Sequence, residues 1–189
     1  MAGKSSKNNN RGSALFGYFV SGKDKQYHTN EFAGSFTAGG HTATGGVISD
    51  YTSGSDVYRA HIFTSSGTFN VTELGNFGST IEALVVAGGG GGGSHSGGGG
   101  GAGGLKLYGS PTGGKTANGA ALPVAATTYT ITIGNGGGGA SATYPSPYSD
   151  AGFDGGDSKI AGPTFTTITA TGGGGGGHQG GTGRPGGSG

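Results

Sequence analysis

Residues 81–104, IEALVVAGGGGGGSHSGGGGGAGG, decide the fold of this chain, because a short apolar strand there runs directly into glycine. Glycine loses more backbone entropy on ordering than any other residue and has no side chain to pack, so a six-glycine run is neither a helix nor an ordinary strand. The pattern occurs twice more, as TITIGNGGGG at residues 130–139 and TITATGGGGGG at residues 167–177. Three strands that each lead into a glycine run indicate a repeated architecture.

These runs are predicted to form polyproline-II-like chains that project from the strands. Such chains have no internal hydrogen bonds and rise ~3.1 Å per residue, so six residues reach about 19 Å. Glycine lets neighbouring chains approach closely enough for backbone N–H and C=O groups to bond between them. The first excursion turns at Ser94–Ser96 and the third at His178-Gln179. Disordered glycine-rich linkers are the alternative, but linkers do not usually lie between strands.

The composition limits the class of protein. Glycine makes up 51 of 189 residues without a Gly-X-Y period, which excludes collagen. Apolar residues make up only 30% of the chain, so the side-chain core must be small. Cysteine is absent, and no apolar run has the length of a membrane span or a secretion signal. We therefore expect no cofactor, no membrane insertion, and assembly inside a cell followed by release without Sec export.

The remaining apolar segments alternate with period two and are rich in β-branched residues, which predicts strands. The expected fold is all-β, a small antiparallel β-sandwich with polyglycine-II-like glycine excursions and an extended N-terminal anchoring arm. The first two strands are expected to pair as a hairpin across Ser65–Gly67, and residues 34–54 to form a linker or extended loop. The six predicted strands are Val57–Thr64, Thr68–Thr72, Ile81–Val86, Leu105–Tyr108, Thr128–Ile133 and Phe165–Thr171.

The N-terminal segment has a different character. Within residues 1–25, five Lys and Arg against the single Asp24 leave a net charge of +4. We predict an arm that docks on an acidic surface of a larger assembly, although a solvated terminus is the simpler alternative. Nucleic-acid binding is not expected, because the whole chain carries only +1. The candidate anchoring residues are Lys4, Lys7, Arg11, Leu15, Phe16, Tyr18 and Phe19.

The domain boundary is predicted accordingly. Residues 1–56 form the anchoring region and residues 57–189 a glycine-rich β domain, with excursions at 88–104, 134–157 and 172–189.

Two motifs suggest chemistry that the surrounding sequence does not support. Residues 109–116, GSPTGGKT, match the phosphate-binding loop pattern, but the residues that follow make a poor helix and no aspartate follows an apolar run to hold magnesium. Asp150, Asp154 and Asp157 offer oxygen ligands for calcium, although their spacing is not that of an EF-hand and a turn is favoured. The five histidines lack metal-ligand spacing. We expect no enzymatic activity.

The tips of the three excursions are the candidate recognition surface. If the excursions lie side by side, their tips form one face that can contact a ligand. The middle tip contains tyrosines stiffened by prolines in YPSPY, residues 144–148, which favours recognition at low entropic cost. Simple packing of these rings against glycine backbone is an equally good interpretation. The candidate ligand-contact residues are His95, Tyr144, Tyr148, His178 and Gln179.

Five segments carry a family resemblance: HIFTSSGTF at 61–69, LVVA at 84–87, YTITIG at 129–134, GDS at 156–158 and TATGGG at 169–174. On these segments, residues 57–189 resemble the glycine-rich domain of tailed-phage virion proteins, which recurs in tail fibres and head appendages. They are also similar to the glycine-rich adhesins at the tips of long tail fibres of T-even-like phages. On that resemblance, residues 94–96, 140–150 and 178–179 would be loops that contact the host.

The resemblance implies a structural protein on the exterior of a virion, most specifically a tail fibre or tail appendage subunit. A capsid decoration or head-fibre protein and a receptor-binding adhesin are the alternatives, and a cellular or ice-binding polyglycine protein is less favoured. Expected partners are other capsid or tail proteins and, for an adhesin, a host surface glycan or outer-membrane protein. Because the sequence stops within glycine after residue 184, we expect the third excursion to be unpaired or completed by a neighbouring subunit. We also expect a homo-oligomer, most specifically a trimer, whose subunits would supply the inter-chain hydrogen bonds that the glycine runs need.

Overall fold

A computed structural model describes residues 39–53, 56–76, 78–109, 118–141 and 150–187. Within these ranges the chain forms strands and no helix, so the all-β class is confirmed. No helix among these residues has the length and apolar character needed to cross a membrane. The strands are β1 (Thr42–Thr44), β2 (Val47–Ser53), β3 (Asp56–Ile62), β4 (Gly67–Glu73), β5 (Thr80–Ile81), β6 (Ala83–Val86), β7 (Leu105–Tyr108), β8 (Leu122–Pro123), β9 (Thr128–Thr132), β10 (Ser158–Gly162) and β11 (Phe165–Ala170).

The strands pair antiparallel in several open sheets. The largest has five strands in the order β1-β4-β9-β10-β11, so β1 and β11 are its edges. The other three sheets are the pairs β2–β3, β5–β8 and β6–β7. Strand β6 lies close to β10 and β11, which places the β6–β7 pair against the large sheet. The all-β prediction holds at this level, and the two-sheet sandwich is not confirmed.

The core lies on one face of the large sheet. In β9 the side chains of Tyr129 and Ile131 are buried while the three threonines between and beside them are exposed, as the period of two requires. Tyr129 stacks on Phe165, with 5.5 Å between ring centroids, and its ring is tilted against that of Phe69, with 6.1 Å between centroids. Its hydroxyl accepts a hydrogen bond from Ala125 N at 2.8 Å and bonds Thr164 Oγ1 at 3.0 Å. The buried phenol is thus fully satisfied.

Five of the six predicted strands are present as single strands, whereas Ile81–Val86 is divided at Glu82 into β5 and β6, which belong to different sheets. Two predictions about the surroundings of the strands are also wrong. Strand β3 does not pair with β4 as a hairpin: it pairs with β2, while β4 pairs with β1 and β9. Residues 63–66 therefore carry the chain from one sheet to another. Within residues 34–54, the predicted linker contains β1 and β2. Strand β2 is largely exposed, so it lacks the apolar alternation that would have indicated a strand.

Candidate functional site

The three glycine excursions lie side by side as a bundle of extended segments, here called the glycine bundle. Each excursion leaves the end of a strand, turns and comes back: the first follows β6 and returns to β7, the second follows β9 and returns to β10, and the third follows β11. The outgoing segments are 87–94, 134–140 and 171–177, and the returning segments are 97–104, 150–157 and 181–187.

Hydrogen bonds between the segments repeat every three residues. Gly88, Gly91 and Ser94 donate to the carbonyls of Gly156, Phe153 and Asp150 at 2.9–3.1 Å. Gly98, Gly101 and Gly104 donate in the same way to residues 177, 174 and 171 at 2.8–2.9 Å. A period of three is that of the polyproline-II helix and differs from the period of two in a β-strand. The predicted polyglycine-II-like bonding between excursions is therefore what the chain adopts.

The segments form two layers of three. The bonds place 87–94 between 134–140 and 97–104 in one layer, and 171–177 between 150–157 and 181–187 in the other. Bonds from Gly173 to Gly88 and from Gly101 to Gly174 join the layers at 2.8 Å. In this triangular packing, neighbouring segments of the chain contact each other through backbone atoms.

The third glycine run is enclosed by this packing, and all of residues 172–177 are buried. A methyl group added at Gly175 would collide with the carbonyl of Gly152, and one at Gly176 with that of Gly98. One at Gly174 would collide with the carbonyl of Arg184. Successive residues thus face three different neighbours, as three residues per turn dictates.

The third excursion is paired within the same chain, which corrects the expectation that it is unpaired or completed by another subunit. Arg184 N donates to Gly175 O at 2.9 Å, and Gly187 N donates to Gly172 O at 2.8 Å. The hydrogen bonds for which a trimer was invoked are therefore made inside one chain. Oligomerisation stays a prediction without this support.

Two carboxylates in the returning segment of the second excursion bond the buried run. Asp154 Oδ1 accepts from Gly175 N at 2.8 Å and Asp157 Oδ1 accepts from Gly172 N at 3.0 Å. The Gly172 N–H, and then the Lys159 ammonium at 3.4 Å, hold the pKa of Asp157 below its usual value. Their three-residue spacing, one turn of the helix, was the sequence signal that both face one neighbour.

The calcium hypothesis gains no support from this arrangement. Asp150 takes part in the bundle through its backbone carbonyl, which accepts from Ser94 N and Ser94 Oγ. Among the residues described, no group of three or more His, Cys, Asp or Glu could hold a metal ion.

The first and third tips, and the described residues on either side of the second tip, lie at one end of the bundle. Ser94 in the first tip bonds Asp150 at the end of the second, and Gly98 N donates to Gly177 O beside the third. The structure therefore brings His95, His178 and Gln179 to the same end, as the sequence suggested. Tyr144 and Tyr148 fall outside the residues described, and ligand contact by any of the five stays a prediction.

The first tip has an unusual backbone. His95 and Ser96 have φ angles of 46° and 50°, in the left-handed region that non-glycine residues rarely enter. Glycine would be unstrained there and is abundant on both sides, yet side chains occupy both positions. In the third tip, His178 Nδ1 donates to Gln179 O at 2.9 Å.

The other predicted site residues are not reached. The candidate anchoring residues, Lys4 to Phe19, and residues 110–116 of the phosphate-loop match lie outside the described ranges.

Comparison with known proteins gives one match. A protein-family model described as "Glycine-rich domain" matches residues 64–189, more than half of the chain. The matched range begins just before β4 and includes all three excursions. Curated proteins and solved structures yield no match. The chain therefore belongs to the glycine-rich domain family.

Proposed function

We propose that this chain is a non-enzymatic structural protein on the exterior of a tailed-phage virion, a tail fibre or tail appendage subunit anchored by its N-terminal region. The assignment to a virion rests on the resemblance of residues 57–189 to phage glycine-rich domains. The mechanical part of the proposal rests on the glycine bundle.

The observation that supports a projecting role is that the first and third tips lie at one end of the bundle, together with the described residues that flank the second tip. Six segments held in register every three residues cannot slide or splay independently, since each shift breaks backbone bonds. A run of six residues spans about 19 Å. The bundle is thus a short rigid spacer with β-sheets at one end and loops at the other. Gly39, the first residue described, lies on the sheet side, where it bonds Asn76.

Imaging an intact particle at side-chain resolution tests this role. We expect residues 1–38 to contact tail proteins and the three tips to face solvent. Contact with capsid proteins would instead favour a decoration or head-fibre protein, which needs the same geometry. Burial of the tips in other virion proteins would contradict a projecting role and make the bundle an assembly joint.

Removing residues 1–25 tests the anchor separately. The expected result is loss of the protein from particles while the purified variant keeps its unfolding midpoint, because the described sheets and bundle begin after this segment. Full incorporation of the truncated protein would contradict anchoring by the N-terminal region.

A receptor-binding adhesin is the second candidate, and the strained first tip favours it. Keeping His95 and Ser96 in left-handed backbone costs free energy on the order of 1–3 kcal/mol per residue, a cost that occurs most often at functional sites. The ligand would be a host surface glycan or an outer-membrane protein.

Replacing both tip residues with glycine separates recognition from folding. His95→Gly with Ser96→Gly should leave the free energy of unfolding equal or higher, because glycine adopts positive φ without strain. An adhesin would then lose host binding despite intact folding. Host binding that survives both this variant and Tyr144→Ala with Tyr148→Ala would exclude the adhesin.

A further inference from the structure

Two buried histidines hold residues 39–46, the segment that contains β1 and leads into β2. His41 precedes β1 and is 4% exposed, while His61 in β3 is fully buried. His41 belongs to this segment and bonds Gly75, between β4 and β5, and Thr80 at the start of β5. His61 lies outside the segment and bonds the carbonyl of Gly45 within it. Detachment of this segment from the sheets would expose both imidazole rings to solvent.

The hydrogen bonds of His41 require a neutral ring. Gly75 N donates to its Nδ1 at 3.0 Å, so Nδ1 carries no proton. Its Nε2 lies 3.2 Å from Thr80 O, a carbonyl that can only accept, so Nε2 carries the proton. A second proton on Nδ1 would oppose the Gly75 N–H.

His61 requires a neutral ring for a different reason. Its Nδ1 donates to Gly45 O at 2.7 Å, while Nε2 is buried without a hydrogen-bond partner in the described structure. The ring meets Phe69 edge to face, with 5.3 Å between centroids. A proton on Nε2 would place an unbonded N–H and a positive charge in this apolar site.

The charged groups nearby do not offset that cost. Arg59 and Asp50 are joined by an ion pair at 2.8 Å, and their effects on His61 oppose each other. Near His41, the exposed Glu73 stands opposite Thr42 in the β1–β4 pairing. Burial is the main cause that lowers the pKa of both His41 and His61 below the usual 6.5.

The segment can leave without unfolding the large sheet. Strand β1 has three residues and lies at the edge of the sheet, so its loss leaves the β4-β9-β10-β11 pairings intact. We propose that residues 39–46 form an acid-released connection, which detaches from its partners in the β-sheets when His41 and His61 take up protons.

The sign of the effect follows from proton linkage. Both rings bind protons more readily when the segment is open, so the closed form is fully favoured above pH 6.5 and loses ground as pH falls from there to the lowered pKa values. The opening constant should rise by up to about tenfold per pH unit for each histidine, and about a hundredfold for both.

Hydrogen exchange of the full chain between about pH 7.5 and about pH 5 tests this proposal. The reporters are the amides of Gly75 and Asn76, which donate to His41 and Gly39. After correction for intrinsic exchange, their protection should fall below pH 6.5 while that of β10 and β11 is unchanged. Constant protection at Gly75 and Asn76, or an equal fall in β10 and β11, would overturn the proposal.

Asparagine variants identify the responsible groups. His41→Asn can still accept from Gly75 N, and His61→Asn can still donate to Gly45 O, but neither titrates. The double variant should lose the acid response, whereas His95→Asn, altered in the first tip, should keep it. If the double variant does not fold, each single variant should show one-proton rather than two-proton dependence. A full two-proton slope in either single variant would overturn the assignment.

Discussion

In the β-sheets, Phe69, Tyr129 and Ile160 are fully buried and fill the space between elements, whereas in the glycine bundle that space is filled almost wholly by backbone. Stability comes from apolar burial in the first region and from hydrogen bonds repeated every three residues in the second. The two regions should therefore respond in opposite ways to a change in side-chain volume. Removing atoms damages the sheets, and adding atoms damages the bundle.

The largest expected effect is the removal of a core ring. Phe69→Ala takes away a fully buried side chain that contacts His61 and Tyr129. We expect the free energy of unfolding to fall by about 3–5 kcal/mol, from lost burial and the cavity that remains. Urea denaturation measures this change, and a loss below about 1 kcal/mol would show that the sheet core is not the main source of stability.

A single added methyl group should have the next largest effect. Gly175→Ala places a Cβ against the carbonyl of Gly152 inside the buried run, where no flexible side chain can move aside. Overpacking of this kind should cost about 1–3 kcal/mol of unfolding free energy. Thermal unfolding of the variant measures the cost, and an unchanged midpoint would mean that the segments are not in close contact.

Acid should weaken the bundle through Asp157. The folded pKa of this carboxyl is lowered from its usual 3.8 by the Gly172 N–H and then by Lys159. Its charge therefore stabilises the fold above pH 3.8, and that contribution is lost as pH falls through the folded pKa. Asp157→Asn should be less stable than the native chain at neutral pH, with the difference vanishing in acid. A difference that is independent of pH would assign the effect to packing.

The smallest effect is expected from Gly99→Ala. An added Cβ there meets no atom within 4 Å, and Ala102, one turn further, already carries an exposed methyl. The variant should be neutral or up to about 1 kcal/mol more stable, because alanine restricts the unfolded chain. It is the matched control for Gly175→Ala, and equal destabilisation of both variants would contradict the layered packing.

The sequence predicts the parts of this molecule that follow a period. Strands such as β9 alternate buried and exposed residues, and the glycine runs allow only extended chains in close contact, so both were recognised. Strand β10 was missed, because SKIAG is short and contains one large apolar residue. Pairing was also out of reach: the link between β3 and β4 has turn residues typical of a hairpin, and only the competing partners β1, β2 and β9 decide otherwise.

For the candidate site, the sequence predicts that the tips converge but not what orders them. Gly172 and Gly175 bond Asp157 and Asp154, and the β10–β11 pair lies between the glycines and the aspartates in the sequence. From the sequence alone, the aspartates resembled a turn or a calcium loop. The left-handed backbone of His95 and Ser96 depends on where the neighbouring segments force the chain to turn. The three-residue spacing of the aspartates indicates that both face one neighbour, but which segment that neighbour is, and where the chain turns, depend on the assembled bundle.

The buried position of residues 172–177 has a consequence for how the chain is made. This run contacts segments from both earlier excursions and is the last of the three to leave the ribosome. Until it emerges, the earlier segments lack one of their hydrogen-bonding partners. The contacts of the bundle also join residues that are far apart in the sequence, which slows folding. The bundle should therefore close, and become resistant to proteases, only in a step that follows the emergence of the third run.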